Sequence, residues 1–162
     1  MTLKNCWPRP SLLLSAAVFL LAPVASWAQS NVLTVEAPAR TVLKKTDAVD
    51  VKFKVTLKPG FHVNSNKPSD EYLIPLRLSF DGTPIESVST QFPMPKMEKY
   101  VFSEKPLSVY SGEFEIVAKL KAKPDARQGI NFGTAKLRYQ ACDSNSCLPP
   151  KTLEIKVPFE VF

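Results

Sequence analysis

Along Val49-Asp50-Val51-Lys52-Phe53-Lys54-Val55-Thr56-Leu57 every odd position is apolar and most even ones are charged. That is the period-2 pattern of a strand with one face on a core and the other in water. Weaker versions of the pattern predict strands over Val32–Glu36, Phe61–Asn64, Pro75–Phe80, Ile85–Thr90, Leu107–Tyr110, Phe114–Leu120, Ile130–Ala141 and Leu153–Val161. No stretch carries the spacing of an amphipathic helix. Turn chemistry punctuates the strands at Lys58-Pro59-Gly60, Asp81-Gly82-Thr83-Pro84, Ser111-Gly112 and Pro124 to Gly129, where proline fixes φ or glycine allows it to be positive. Fifteen prolines in 162 residues, mostly between the strands, disfavour helix throughout. Seven or more short strands so punctuated predict an all-β domain, an immunoglobulin-like antiparallel β-sandwich, with a barrel as the less favoured closure.

The first residues set the compartment. Lys4 and Arg9 precede an apolar run from Ser11 to Ala25, and Ser26-Trp27-Ala28 is a small-x-small cleavage site, so residues 1–28 read as a secretory signal peptide cleaved after Ala28. A retained anchor is the competing reading, but Pro23 interrupts a run already short of the roughly 20 residues a spanning helix needs. Cys6 would leave with the signal. Residues 29–162 remain as one domain, large enough to bury a core without cross-links. Losing Lys4 and Arg9 takes the formal charge from +6 to +4. The remaining lysines alternate with apolar residues, as on solvated strand faces, and no basic patch interleaved with aromatics points to nucleic acid.

Gln91 to Pro106 is the least regular stretch. It holds Pro93, Pro95 and Pro106 together with Phe92, Met94, Met97, Tyr100 and Phe102, more apolar side chains than a solvated loop carries. It is expected to lie against something, either an open edge of the core or a functional site that it covers.

The exported chain keeps two cysteines, Cys142 and Cys147, in Tyr139-Gln140-Ala141-Cys142-Asp143-Ser144-Asn145-Ser146-Cys147-Leu148-Pro149-Pro150. The flanks Ala135–Tyr139 and Leu153–Val157 alternate, so the pair is expected to face itself across the end of a hairpin, with Cα atoms about 4.5–5.5 Å apart. In an exported protein two cysteines can be a structural staple. A ring of about six residues, however, gains only about 2 kcal/mol from loop closure, against nearly 5 for a hundred. A short ring at a hairpin tip also leaves sulfur open to thiol–disulfide exchange. Both readings stand on the residues alone. A zinc site lacks ligands, since the only histidine, His62, lies about 80 residues away. His62 itself reads as a strand residue, and nothing in the sequence brings it to a cysteine.

The cysteine and diproline segment resembles the active-site hairpin of the N-terminal periplasmic domain of the DsbD family of thiol:disulfide interchange proteins. Lys58-Pro59-Gly60-Phe61-His62-Val63-Asn64 looks like that family's proline-glycine-aromatic-histidine strand, and Leu107-Ser108-Val109-Tyr110-Ser111-Gly112 resembles the strand after its cap. The resemblance implies an immunoglobulin-like domain in the periplasm whose cysteine pair receives electrons from a thioredoxin-like protein or membrane donor and passes them to oxidised proteins. No cofactor is expected, since the sulfur pair itself carries two electrons, no metal is expected on the ligand count, and a monomer is expected. By the same carry-over Cys147 enters the mixed disulfide, Cys142 resolves it, and Tyr139 and Gln140 orient the hairpin. An aromatic of the lid, Tyr100 or Phe102, shields the pair. Glu98-Lys99-Tyr100 matches only part of the family's acidic-acidic-aromatic cap signature, so the choice between the two aromatics stays open. The chain ends at Phe162 where longer members continue, so a separate electron donor is expected. The alternative is a secreted binding or assembly module with a structural disulfide.

Overall fold

The computed structural model describes residues 31–80 and 84–162. The expected signal peptide and the Asp81-Gly82-Thr83 part of one expected turn lie outside the described residues. Within them the chain forms twelve strands and no helix: β1 (Leu33–Glu36), β2 (Thr41–Leu43), β3 (Ala48–Leu57), β4 (His62–Asn64), β5 (Arg77–Phe80), β6 (Ile85–Gln91), β7 (Lys96–Glu98), β8 (Leu107–Ser111), β9 (Glu113–Ala122), β10 (Gly129–Tyr139), β11 (Ala141–Cys142) and β12 (Lys151–Val161). They assemble into three four-stranded sheets, in the orders β1-β3-β9-β6, β2-β12-β10-β5 and β11-β4-β8-β7.

The first two sheets make the sandwich. On β3 the alternation does what the sequence implies: Val51, Phe53, Val55 and Leu57 are buried while Asp50, Lys52 and Lys54 are exposed. Ile116, Ala118 and Leu120 of β9 join them from one sheet, and Ala135, Leu137, Ile155, Val157 and Phe159 of β10 and β12 from the other, in one continuous core. Burial of these side chains, at about 1.5–3 kcal/mol each, is what holds the two layers together. The lysines outside pair across strands, Lys52 with Glu115 at 3.2 Å and Lys54 with Glu113 at 3.0 Å. Gly60 and Gly112 turn the chain at φ 83° and 69°, a region that costs a side-chain-bearing residue and not glycine.

Three strands depart from the expected set, the first being Ala141–Cys142: the strand expected over Ile130–Ala141 ends at Tyr139, and β11 pairs in a different sheet. Thr41–Leu43 forms β2 and runs parallel to the end of β12, with Thr41 opposite Phe159 and Leu43 opposite Val161, so the sandwich is antiparallel except along this edge. Three residues are too few to show an alternation, yet Leu43 is buried and Val42 is 48% exposed. The stretch expected to be irregular contains β7, which pairs with β8 through Lys96–Val109, Met97–Ser108 and Glu98–Leu107. Nor does all of that stretch lie against something. Phe92 packs on the main core and Tyr100 on a small satellite of Leu73, Leu107 and Val109, while Met94 and Met97 face solvent.

The third sheet carries the cysteines. Its two faces serve different purposes, because neighbouring residues on a strand point to opposite sides. Val63, Tyr110 and Ala141, aligned across β4, β8 and β11, belong to the main core. His62, Asn64, Val109 and Cys142 therefore share the opposite face, toward the satellite and the lid.

Candidate redox site

The β10–β12 hairpin runs in register from Gly129–Val161 to Tyr139–Lys151. Tyr139, the last residue of this ladder on β10, is buried in the main core, and burial raises its phenol pKa. Beyond it the chain changes sheets: Ala141 and Cys142 pair with Val63 and His62 of β4. Cys142 is also bridged to Cys147 across the hairpin tip. The two form a disulfide with Cα atoms 3.9 Å apart, closer than the 4.5–5.5 Å expected for opposed residues of a regular ladder, because only four residues close the turn between them.

Hydrogen bonds hold that turn from within and from behind. Leu148 N donates to Ala141 O at 2.8 Å and Asp143 N to Ser146 O at 2.9 Å. The Asp143 carboxylate accepts from the backbone of Asn145 at 2.7 Å and of Ser146 at 2.8 Å, which holds its pKa below the ordinary carboxylate value, with the nearby His62 adding in the same sense. Gln140 sits behind the ring. Its Nε2 donates to Leu148 O at 3.2 Å, while its Oε1 accepts from Asn64 Nδ2 at 3.4 Å. Asn64 Nδ2 also donates to Ile74 O at 3.2 Å, so Gln140 and Asn64 tie both arms of the hairpin to β4 and the loop that follows it.

The two sulfur-bearing residues differ in access. Cys142 is fully buried, whereas Cys147 is half-buried and lines a 190 Å³ groove together with Tyr72, Leu73, Phe102, Ser103, Leu107 and Gln140. Beside them residues 99–104, the segment expected to cover the pair, form a compact turn. Lys99 Nζ donates to Ser103 O at 2.6 Å and to Glu104 O, and Ser103 N to Tyr100 O at 3.2 Å.

Tyr100 and Phe102 both reach the site, by different routes. The Tyr100 ring lies flat on His62, and the Phe102 ring lies beside the pair, nearly parallel to both. Tyr100 also donates its hydroxyl hydrogen to Glu98 Oε2 at 2.5 Å; burial first, and then this bond and the Glu98 charge, raise the phenol pKa. Phe102 lines the groove beside Cys147.

His62, Asn64, Glu98 and Asp143 also belong to this site, although the sequence marks His62 only as a strand residue and Glu98 only within the partial cap signature. His62 is 2% exposed, and burial lowers its pKa, with Glu98 and Asp143 pulling the other way. Its pairing with Cys142 is a long-range register that the strand pattern alone does not reveal. The available signal was the spacing of His62 and Asn64, two polar residues on one face of a short strand directly after Pro59-Gly60.

The family model described as the N-terminal part of thiol:disulfide interchange protein DsbD matches residues 29–158. Among solved structures, the reduced DsbD N-terminal domain of Neisseria meningitidis is 17% identical, with TM-score 0.48 over 68% of this chain and 77% of that one. The N-terminal periplasmic domain of ScsB from Proteus mirabilis is 16% identical, with TM-score 0.54 over 77% of this chain and 44% of that one. The chain thus spans less than half of that ScsB domain, and the likeness to it is one of fold. No curated protein sequence matches the chain.

Proposed function

The chain belongs to the family of DsbD N-terminal domains, and from that premise we propose that it is a periplasmic thiol–disulfide interchange protein working through Cys142 and Cys147. The observation that carries the reading is the unequal access of the two sulfurs. Exchange requires a thiolate to approach one sulfur of the disulfide while the other leaves. Cys147 borders a groove and Cys142 is enclosed, so the incoming thiolate bonds to Cys147 and the S–S electron pair leaves with Cys142. A second thiol of the donor then releases Cys147, and the domain holds two electrons as a dithiol. Delivery runs the same steps backward: Cys147 attacks an oxidised partner, and Cys142 resolves the mixed disulfide.

Gln140 and Asn64 keep Cys142 at its place through this cycle, and Tyr139 anchors the strand end in the core. Tyr100 and Phe102 limit the approach of small thiols. The partners are a thioredoxin-like protein or membrane donor on one side and oxidised periplasmic proteins on the other. Equilibration with glutathione or thioredoxin redox buffers tests the reading. An exchange-active pair titrates above about −300 mV, whereas a structural disulfide in a binding module titrates below it.

A further inference from the structure

We propose that His62 is the proton-exchanging partner of Cys142, taking the thiol proton when Cys142 attacks and returning it when Cys142 leaves. The inference rests on the interchange reading above and adds to it the group that handles the proton.

Four observations place His62 in this role. It is the direct cross-strand neighbour of Cys142, so both side chains leave the same face of the sheet with Cβ atoms about 4.5–5.5 Å apart. Both residues are buried, at 2% and 0% exposure. The Nε2 of His62 is enclosed and has no hydrogen-bond partner among the described residues; a buried nitrogen left so is destabilising and calls for a functional reason. Finally, stacking on Tyr100 at 3.9 Å fixes the plane of the imidazole.

The chemistry of the resolving step needs such a group. In the mixed disulfide Cys142 is a buried thiol, and burial disfavours the thiolate that must attack. As Cys142 Sγ bonds to Cys147 Sγ, the bond between Cys147 and the partner sulfur breaks, and the partner departs as a thiolate with that electron pair. The proton of Cys142 passes to the imidazole. Two electrons have moved from the cysteine pair to the partner, and His62 later yields its proton to water.

The surroundings of His62 suit this exchange. Glu98 of β7 and Asp143 of the hairpin tip are the charges that face it, and Ser111 of β8 and Tyr100 of the lid are its uncharged polar neighbours. Burial keeps the resting imidazole neutral, able to accept, while the two carboxylates favour the imidazolium once it forms.

Reaction of the reduced protein with dithionitrobenzoate separates the steps. Attack by Cys147 releases one thionitrobenzoate, and attack by Cys142 on the resulting mixed disulfide releases a second in a phase independent of reagent concentration. With His62 as base, the wild-type second phase is nearly flat between about pH 6.5 and 8.5, the interval between ordinary His and Cys values. His62→Phe preserves the ring stack and removes the base. It is expected to slow the second phase at least about tenfold at pH 7, with a rate that falls tenfold per pH unit, while the first phase changes less than about twofold. An unchanged second phase in His62→Phe overturns the assignment. Should that variant not fold, the wild-type profile decides alone, because a tenfold rise per unit across the interval means that Cys142 reacts as a free thiolate and overturns it too. Absence of a concentration-independent second release removes the interchange reading itself, and the role of His62 with it.

Discussion

Tyr100 lies over His62 with ring centroids 3.9 Å apart and planes 15° from parallel, and Phe102 lies to the side of the pair, its ring 5.5 Å from Tyr100 and 6.4 Å from His62. The 99–104 segment is thereby fastened to the residue opposite Cys142, while its second aromatic, Phe102, borders the groove at Cys147. The two positions predict different consequences. Phe102→Ala should speed reduction by dithiothreitol most, because it widens the approach to Cys147, with little loss of stability since Phe102 is 38% exposed. Tyr100→Ala should speed reduction less and lower stability by about 1–2 kcal/mol, through the lost packing on Leu73, Leu107 and Val109 and the lost stack. Stopped-flow reduction beside urea midpoints measures both. Unchanged reduction rates in the two variants would remove the lid from the mechanism.

Unequal access of the sulfurs predicts unequal trapping. Cys142→Ser should accumulate a mixed disulfide through Cys147 with a thioredoxin-like protein, since the resolving thiol is gone. Cys147→Ser leaves only an enclosed sulfur and should trap far less. Non-reducing electrophoresis after mixing with thioredoxin reads the outcome, and equal trapping by both variants would contradict the assigned roles.

The buried imidazole predicts an acid-sensitive fold. The pKa of His62 in the folded state lies below its ordinary 6.5, so on acidification the unfolded chain takes up the proton first. Stability is then fully present above about pH 6.5 and declines as the pH falls below it, until the folded-state value is reached. Asp143, whose pKa is lowered from 3.8, contributes in the same direction in a separate window at lower pH. Urea midpoints between pH 7.5 and 5 should fall for the wild type and stay level for His62→Phe, because His62 is the only histidine of the chain. A matching decline in the variant would assign the acid sensitivity to other groups.

Gln140 joins Leu148 to Asn64, which predicts that it sets the ease of ring closure. Gln140→Ala removes two hydrogen bonds and should cost about 1–2 kcal/mol of stability. A loss of about 1 kcal/mol that falls on the oxidised hairpin corresponds to a roughly fivefold shift toward the dithiol in a glutathione equilibrium. An unaltered equilibrium would show that the hairpin holds its geometry without this side chain.

The period-2 patterns, the turn residues and the closeness of Cys142 and Cys147 in sequence are local signals, and local signals were enough for the class of fold, most of the strands, the hairpin and the sulfur pair. Val51, Phe53 and Val55 can face only one way once the chain is extended, and four polar residues between two cysteines leave little choice of partner. Other features depend on which strands meet. Lys96-Met97-Glu98 has no alternation to mark it and is a strand because β8 offers an open edge. Thr41–Leu43 is one because the end of β12 offers another. His62 reads in the sequence as an ordinary strand residue, about 80 positions before Cys142. Alternation fixes the face a side chain occupies but not what lies across from it, so only the pairing of β4 with β11 could bring the one histidine to the enclosed sulfur and the lid to the histidine.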